Sequence, residues 1–130
     1  MILLDTNALI GLLRGTAPQL VDRLAAELPH DRATSVVVVA ELLVGIHKST
    51  PPGRGRAALD DLLADLVVLD FDRPSAHAYA EIRAHSERLG QRIGNNDLLI
   101  AATARANGAT LVTRNVGEFE RVPGLVVEPF

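Results

Sequence analysis

A three-layer α/β fold with a mostly parallel central sheet is what this sequence predicts, and two observations carry the prediction. Short aliphatic or β-branched runs at residues 2–4, 33–39, 67–69, 110–113 and 125–127 alternate with segments of helical periodicity. Strand, helix and strand in repeated succession require right-handed crossovers, which lay helices on both faces of a parallel sheet. The first run, Ile2-Leu3-Leu4, is followed at once by Asp5. Such an uninterrupted apolar run suits a strand buried on both faces, and the carboxyl ends of parallel strands face the ligand crevice, so an acid there is placed for chemistry.

Each element has its own signal. After Asp5, with Thr6 and Asn7 able to cap, residues 8–14 make two helical turns that Gly15 stops. Thr16 and Pro18 open a second helix expected to reach Leu28, with Leu20, Val21, Leu24 and Leu28 on one stripe. Residues 29–32 turn the chain. Val36-Val37-Val38-Val39 favours a buried strand over residues 33–39, since consecutive β-branched residues lose rotamer freedom in a helix. From Ala40 the period changes to helical, which puts Glu41 near the strand–helix junction. Residues 50–56, with Pro51, Pro52, Gly53 and Gly55, form an exposed loop that also carries Arg54 and Arg56.

Residues 56–66 are amphipathic through Leu59, Leu62, Leu63 and Leu66, and the strand at 67–69 follows. Pro74 suits the first turn of a helix that runs to Leu89 and stops at Gly90. Ile93-Gly94-Asn95-Asn96-Asp97 feeds another, which ends at Gly108. Thr110–Thr113 is the next strand, and Leu125–Val127 beyond the Pro123-Gly124 turn closes the sheet as an edge.

Composition bounds the function. The chain has 130 residues, 48% of them hydrophobic, which suits a single domain over 1–130 with one core. A net charge of −3 leaves no general basic field for a polyanion, so any phosphate must be held locally. Cysteine is absent, which excludes disulfides, thiolate zinc sites and cysteine nucleophiles. Asp5 interrupts the first apolar stretch and no basic region precedes it, so neither a signal peptide nor a membrane span is expected. A soluble cytoplasmic protein is the expectation. His30, His47, His77 and His85 lack zinc-ligand spacing, and no phosphate-binding Gly-x-x-x-x-Gly-Lys loop occurs.

Four separated places hold oxygen ligands. Asp5 ends the first strand, although a lone Asp there more often caps the next helix than does chemistry. Asp97 opens a helix that continues almost wholly apolar through Leu98-Leu99-Ile100-Ala101-Ala102-Thr103-Ala104, so it lies at an interior edge. A capping and helix-dipole role accounts for it equally well when it is considered alone. Glu41 is the only ionisable residue between Arg32 and His47, and a carboxylate in that apolar setting needs a cation, either an arginine or a metal. Asn115 and Glu118 follow the Thr110–Thr113 strand, at the same sheet edge if that strand is parallel to the first. Arg14, Arg54, Arg56, Arg92 and Arg114 are candidates for flanking phosphates, a role that most isolated arginines lack.

Asp5-Thr6-Asn7, Ala40-Glu41-Leu42, Ile93-Gly94 through Asp97 to Ala104, Thr113-Arg114-Asn115 with Glu118-Phe119, and Val122-Pro123-Gly124-Leu125 together resemble the PIN domain. More narrowly they resemble VapC, the toxin half of bacterial toxin–antitoxin pairs. The resemblance implies a magnesium- or manganese-dependent endoribonuclease with Asp5, Glu41 and Asp97 as its acidic, metal-holding triad. It also implies an RNA substrate, a homodimer and inhibition by a cognate VapB-like antitoxin. At the fourth family position, often an aspartate, this chain has Asn115, and Glu118 is the residue able to restore the charge. Two other readings remain at this point: a phosphoryl-transferring aspartate domain (phosphatase or receiver), and a catalytically silent module of the same fold.

Overall fold

The computed structural model describes residues 1–130. Five strands, β1 (Ile2–Leu4), β2 (Arg32–Ser35), β3 (Val67–Leu69), β4 (Thr110–Thr113) and β5 (Val127–Pro129), form one parallel sheet in the order β3-β2-β1-β4-β5. Seven helices flank it: α1 (Thr6–Arg14), α2 (Pro18–Ala25), α3 (Val36–His47), α4 (Arg56–Ala64), α5 (Arg73–Arg88), α6 (Asn95–Ala106) and the short α7 (Val116–Phe119). A 3-10 turn, Pro29–Asp31, leads into β2. None of the helices is long and apolar enough to cross a membrane.

The three-layer α/β expectation holds, and the all-apolar β1 is the reason the sheet is built around it. Ile2, Leu3 and Leu4 are all buried, flanked by β2 on one side and β4 on the other. The chain fills one half of the sheet through β2 and β3 and then returns to fill the other through β4 and β5. The order therefore reverses beside β1, which opens a crevice between the carboxyl ends of β1 and β4. α6 packs into the core through Leu98, Ile100, Ala101, Ala102, Thr103 and Ala104, and these three alanines permit close approach to α5 and α3.

Three local expectations are corrected. The four valines are helical: β2 ends at Ser35 and α3 begins at Val36. β1 supplies partners only as far as Leu4, opposite Thr34, so the ladder gives out before the valines. The Ser35 hydroxyl then accepts the Val37 N–H at 3.0 Å and starts the helix. Valine's helix penalty is below about 0.7 kcal/mol per residue, so the four together cost under about 3 kcal/mol, which a satisfied cap and complete burial of Val38 offset. Secondly, α2 stops at Ala25, and Val21 and Leu28 are exposed while Leu20 and Leu24 carry the packing. Lastly, the closing strand lies two residues later than expected, at Val127–Pro129, because β5 pairs with β4 from Leu111↔Val127 onward.

Candidate active site

The crevice collects side chains from six segments. Asp5 follows β1 directly, its backbone N–H still reaching the Val112 carbonyl of β4 at 3.3 Å. It is also the N-cap of α1, accepting the Ala8 N–H on Oδ1 at 2.9 Å. Capping and placement in the crevice are thus one geometry, and the choice between them posed by the sequence dissolves. Only 5% of Asp5 is exposed. Burial pushes its carboxyl above the ordinary range, while the Thr113 hydroxyl, the Ala8 N–H and the positive charge of Arg114 act in the opposite direction.

Asp97 stands in the first turn of α6, partly buried. Its carboxyl is pushed up to about 6, first by desolvation and then by the negative charges of Glu118, Glu41 and Asp5. Four carboxylates from separate parts of the chain thus share one electrostatic neighbourhood. None of the four is ion-paired, since the salt bridges of the molecule lie elsewhere.

Glu41 lies in the second turn of α3, not at a strand–helix junction, because the helix starts at Val36. It is partly exposed, and no arginine meets it. Its Oε1 accepts the Thr6 hydroxyl of α1 at 3.1 Å. Glu118, in α7, is fixed twice: Asn115 Nδ2 donates to its Oε2 at 2.5 Å, and the Gly94 N–H donates to its Oε1 at 3.3 Å. Asn115 is held in turn by its N–H, which donates to Thr113 Oγ1 at 2.9 Å. The carboxylates approach one another without meeting at one point, for no three His, Asp or Glu side chains converge at the spacing of joint ligands.

The structure therefore brings Asp5, Glu41, Asp97, Asn115 and Glu118 to one sheet edge. It also assigns work to residues the sequence reading passed over. Thr6, expected as a cap, donates to Glu41, and Thr113, expected as the end of a strand, accepts the Asn115 N–H and favours the charged form of Asp5. Their signal was adjacency, since each hydroxyl flanks a residue already singled out. Of the five arginines named, Arg114 alone contributes its charge to Asp5.

The residues fit a hard divalent cation by the chemistry of the donor set. They are all oxygen ligands, none of them ion-paired, although the charge of Arg114 reaches Asp5, and Asp97 loses its proton only against the repulsion of three neighbours. A dication relieves that repulsion directly.

Comparison with known proteins agrees with this architecture. The PIN domain profile matches residues 2–125. A curated relative, ribonuclease VapC2 of Rickettsia felis, is 45% identical over 96 residues, covering 74% of this chain and 72% of that protein. The tRNA(fMet)-specific endonuclease VapC of Salmonella typhimurium is 33% identical over 126 residues, covering 97% of this chain and 95% of that protein. Among solved structures, VapBC2 from Rickettsia felis bound to a DNA fragment from their promoter superposes with a TM-score of 0.88 at 36% identity, covering 100% of this chain and 99% of that one. With the sheet order, the crevice acids and these matches in agreement, the chain belongs to the PIN domain family, among its VapC proteins.

Proposed function

We propose that this protein is a magnesium- or manganese-dependent endoribonuclease, the toxin of a type II toxin–antitoxin pair, that works in the cytoplasm and hydrolyses RNA phosphodiester bonds. The observation that carries the reading is Asp97: a carboxyl held at about 6 by burial and by three other carboxylates, itself in no ion pair, at the switch point of a parallel sheet. Ribonuclease and endonuclease relatives support the same reaction class.

Asp5 and Asp97 are the proposed principal metal ligands, because Asp5 is rigidly set by its cap and Asp97 accepts no hydrogen bond that would compete. Glu41 keeps one carboxylate oxygen on Thr6 and turns the other to ligate the ion or to orient a water. Asn115 and Glu118 brace the opposite side of the crevice through their mutual hydrogen bond. A bound divalent ion supplies Lewis-acid charge at the scissile phosphate and lowers the cost of deprotonating the attacking water. It also lets a chain of net charge −3 approach a polyanion.

The proposed partners follow the family: a VapB-like antitoxin, and a second copy of this chain. The exposed apolar stripe Val36, Ala40 and Val44 on α3 supports the latter. The decisive experiment incubates the purified protein with structured RNA in EDTA, magnesium or manganese, beside a phosphatase substrate. Cleavage in metal that falls at least about 100-fold in Asp5→Asn and Asp97→Asn is the expected result, a loss of roughly 3 kcal/mol of transition-state stabilisation. Equal cleavage by both variants, or turnover of the phosphatase substrate instead, would reject the assignment.

A further inference from the structure

The register of β4 with β5 places two side chains beside each other that the sequence holds 16 positions apart. Thr113 pairs with Pro129, so the next residues, Arg114 and Phe130, emerge side by side at the carboxyl edge that also carries Asp5. The Arg114 guanidinium carbon sits 4.8 Å from the centre of the Phe130 ring, well within cation–π range. Arg114 is exposed and joins no salt bridge, yet its charge reaches Asp5. The other candidate arginines are differently placed. Arg56 is taken up by Asp60 at 3.1 Å, Arg54 lies in the exposed loop between α3 and α4, Arg14 ends α1 away from the edge where that helix begins, and Arg92 lines a cavity of about 180 Å³ beside Glu87.

We propose that Arg114, propped on Phe130, grips a backbone phosphate of the RNA next to the scissile one, with Phe130 acting as a positioning residue. The proposal rests on the ribonuclease reading of the crevice and extends it to substrate registration. A free arginine samples many rotamers and loses that freedom when it binds; one already laid against a ring loses less. Its planar fork offers paired donors matched to a phosphate, which lysine lacks. Because the acids repel a polyanion, a cation stationed at their rim also decides on which side of the crevice the strand enters.

The test reads binding and turnover separately. Anisotropy of a short fluorescein-labelled single-stranded RNA is measured in EDTA across a salt series, and KM and kcat for the same RNA are measured in magnesium. Arg114→Ala is expected to weaken binding and raise KM about tenfold, to leave kcat within about twofold, and to reduce the slope of log K against log salt by about 0.7. Arg114→Lys should restore the salt slope but only part of the affinity. Phe130→Leu should raise KM about threefold and Phe130→Tyr should match the unmodified protein. Unchanged affinity and slope in Arg114→Ala overturns the phosphate contact, as does a loss confined to kcat or loss of a co-purifying protein with RNA binding intact. Phe130→Leu behaving as the unmodified protein overturns the positioning role. If the unmodified chain cuts no RNA in any metal, the ribonuclease reading fails by itself, and the anisotropy arm still reads Arg114.

Discussion

Asp97 is the residue whose physics is most exposed to measurement. Its folded carboxyl titrates at about 6 against an ordinary 3.8, so between those values the folded chain binds more protons than the unfolded one. Stability from this group is therefore present at low pH and lost as pH rises through about 6. Unscreened, a shift of that size corresponds to about 3 kcal/mol, and partial exposure reduces it to roughly 1–2 kcal/mol. In EDTA at neutral pH, Asp97→Asn should melt about 4 °C above the unmodified protein, and its melting temperature should lack the part of the fall between about pH 4 and 6 that Asp97 causes. Added magnesium or manganese should raise the melting temperature of the unmodified chain and leave Asp97→Asn nearly unchanged. Parallel melting curves for the two proteins across that pH range would remove the electrostatic basis of the site. Thr6 and Thr113 matter at the same level, because hydroxyls that hold Glu41 and flank Asp5 fix where the charges stand.

The junction between β2 and α3 shows how an element is decided by its neighbours. Four successive valines carry a strong strand preference, but a strand needs a partner, and both neighbours of β2 have run out by then, β1 at Leu4 opposite Thr34 and β3 at Leu69 opposite Ser35. Helix is the conformation that still satisfies the backbone, and Ser35, fully buried, provides its cap. Ser35→Ala should cost about 1 kcal/mol, seen as a fall in melting temperature of about 4 °C, because the Val37 N–H loses its acceptor. An unchanged melting temperature would mean that packing of Val38 alone sets the start of α3. Function depends on this detail: a strand running to Val39 would displace Glu41 along the chain and separate it from Thr6. α6 is the contrasting case, where the almost wholly apolar run after Asp97 predicts a buried helix with that acid at its interior edge, and the structure buries Leu98 and Ile100–Ala104.

For the molecule as a whole, the sheet order concentrates negative charge at one edge and leaves apolar surface at another place. Val36 is 38% exposed and Val44 52%, on the same side of α3 as Ala40. A second copy of this chain covering the stripe is the self-association proposed above. Val44→Asp should convert a dimer to a monomer in sedimentation equilibrium with little change in circular dichroism, since Val44 is 52% exposed and lies outside the buried core. A monomer at micromolar concentration before any substitution would refute the self-association.

Local chemistry sufficed for much of this: the apolar run of Ile2–Leu4 ending in Asp5, the Gly15 and Gly108 stops, the Pro18 and Pro74 starts, and the apolar α6 behind Asp97 all act within a few residues of themselves. Strand–helix alternation then implied the parallel sheet, and the resemblance of dispersed motifs implied which side chains would gather. Where β2 stops, where β5 pairs, what holds Glu41 and which arginine stands at the crevice were settled only by the assembled sheet. Each of these depends on the length or register of a strand distant in the chain, and the pattern of one segment carries no record of how many partners its neighbour will offer.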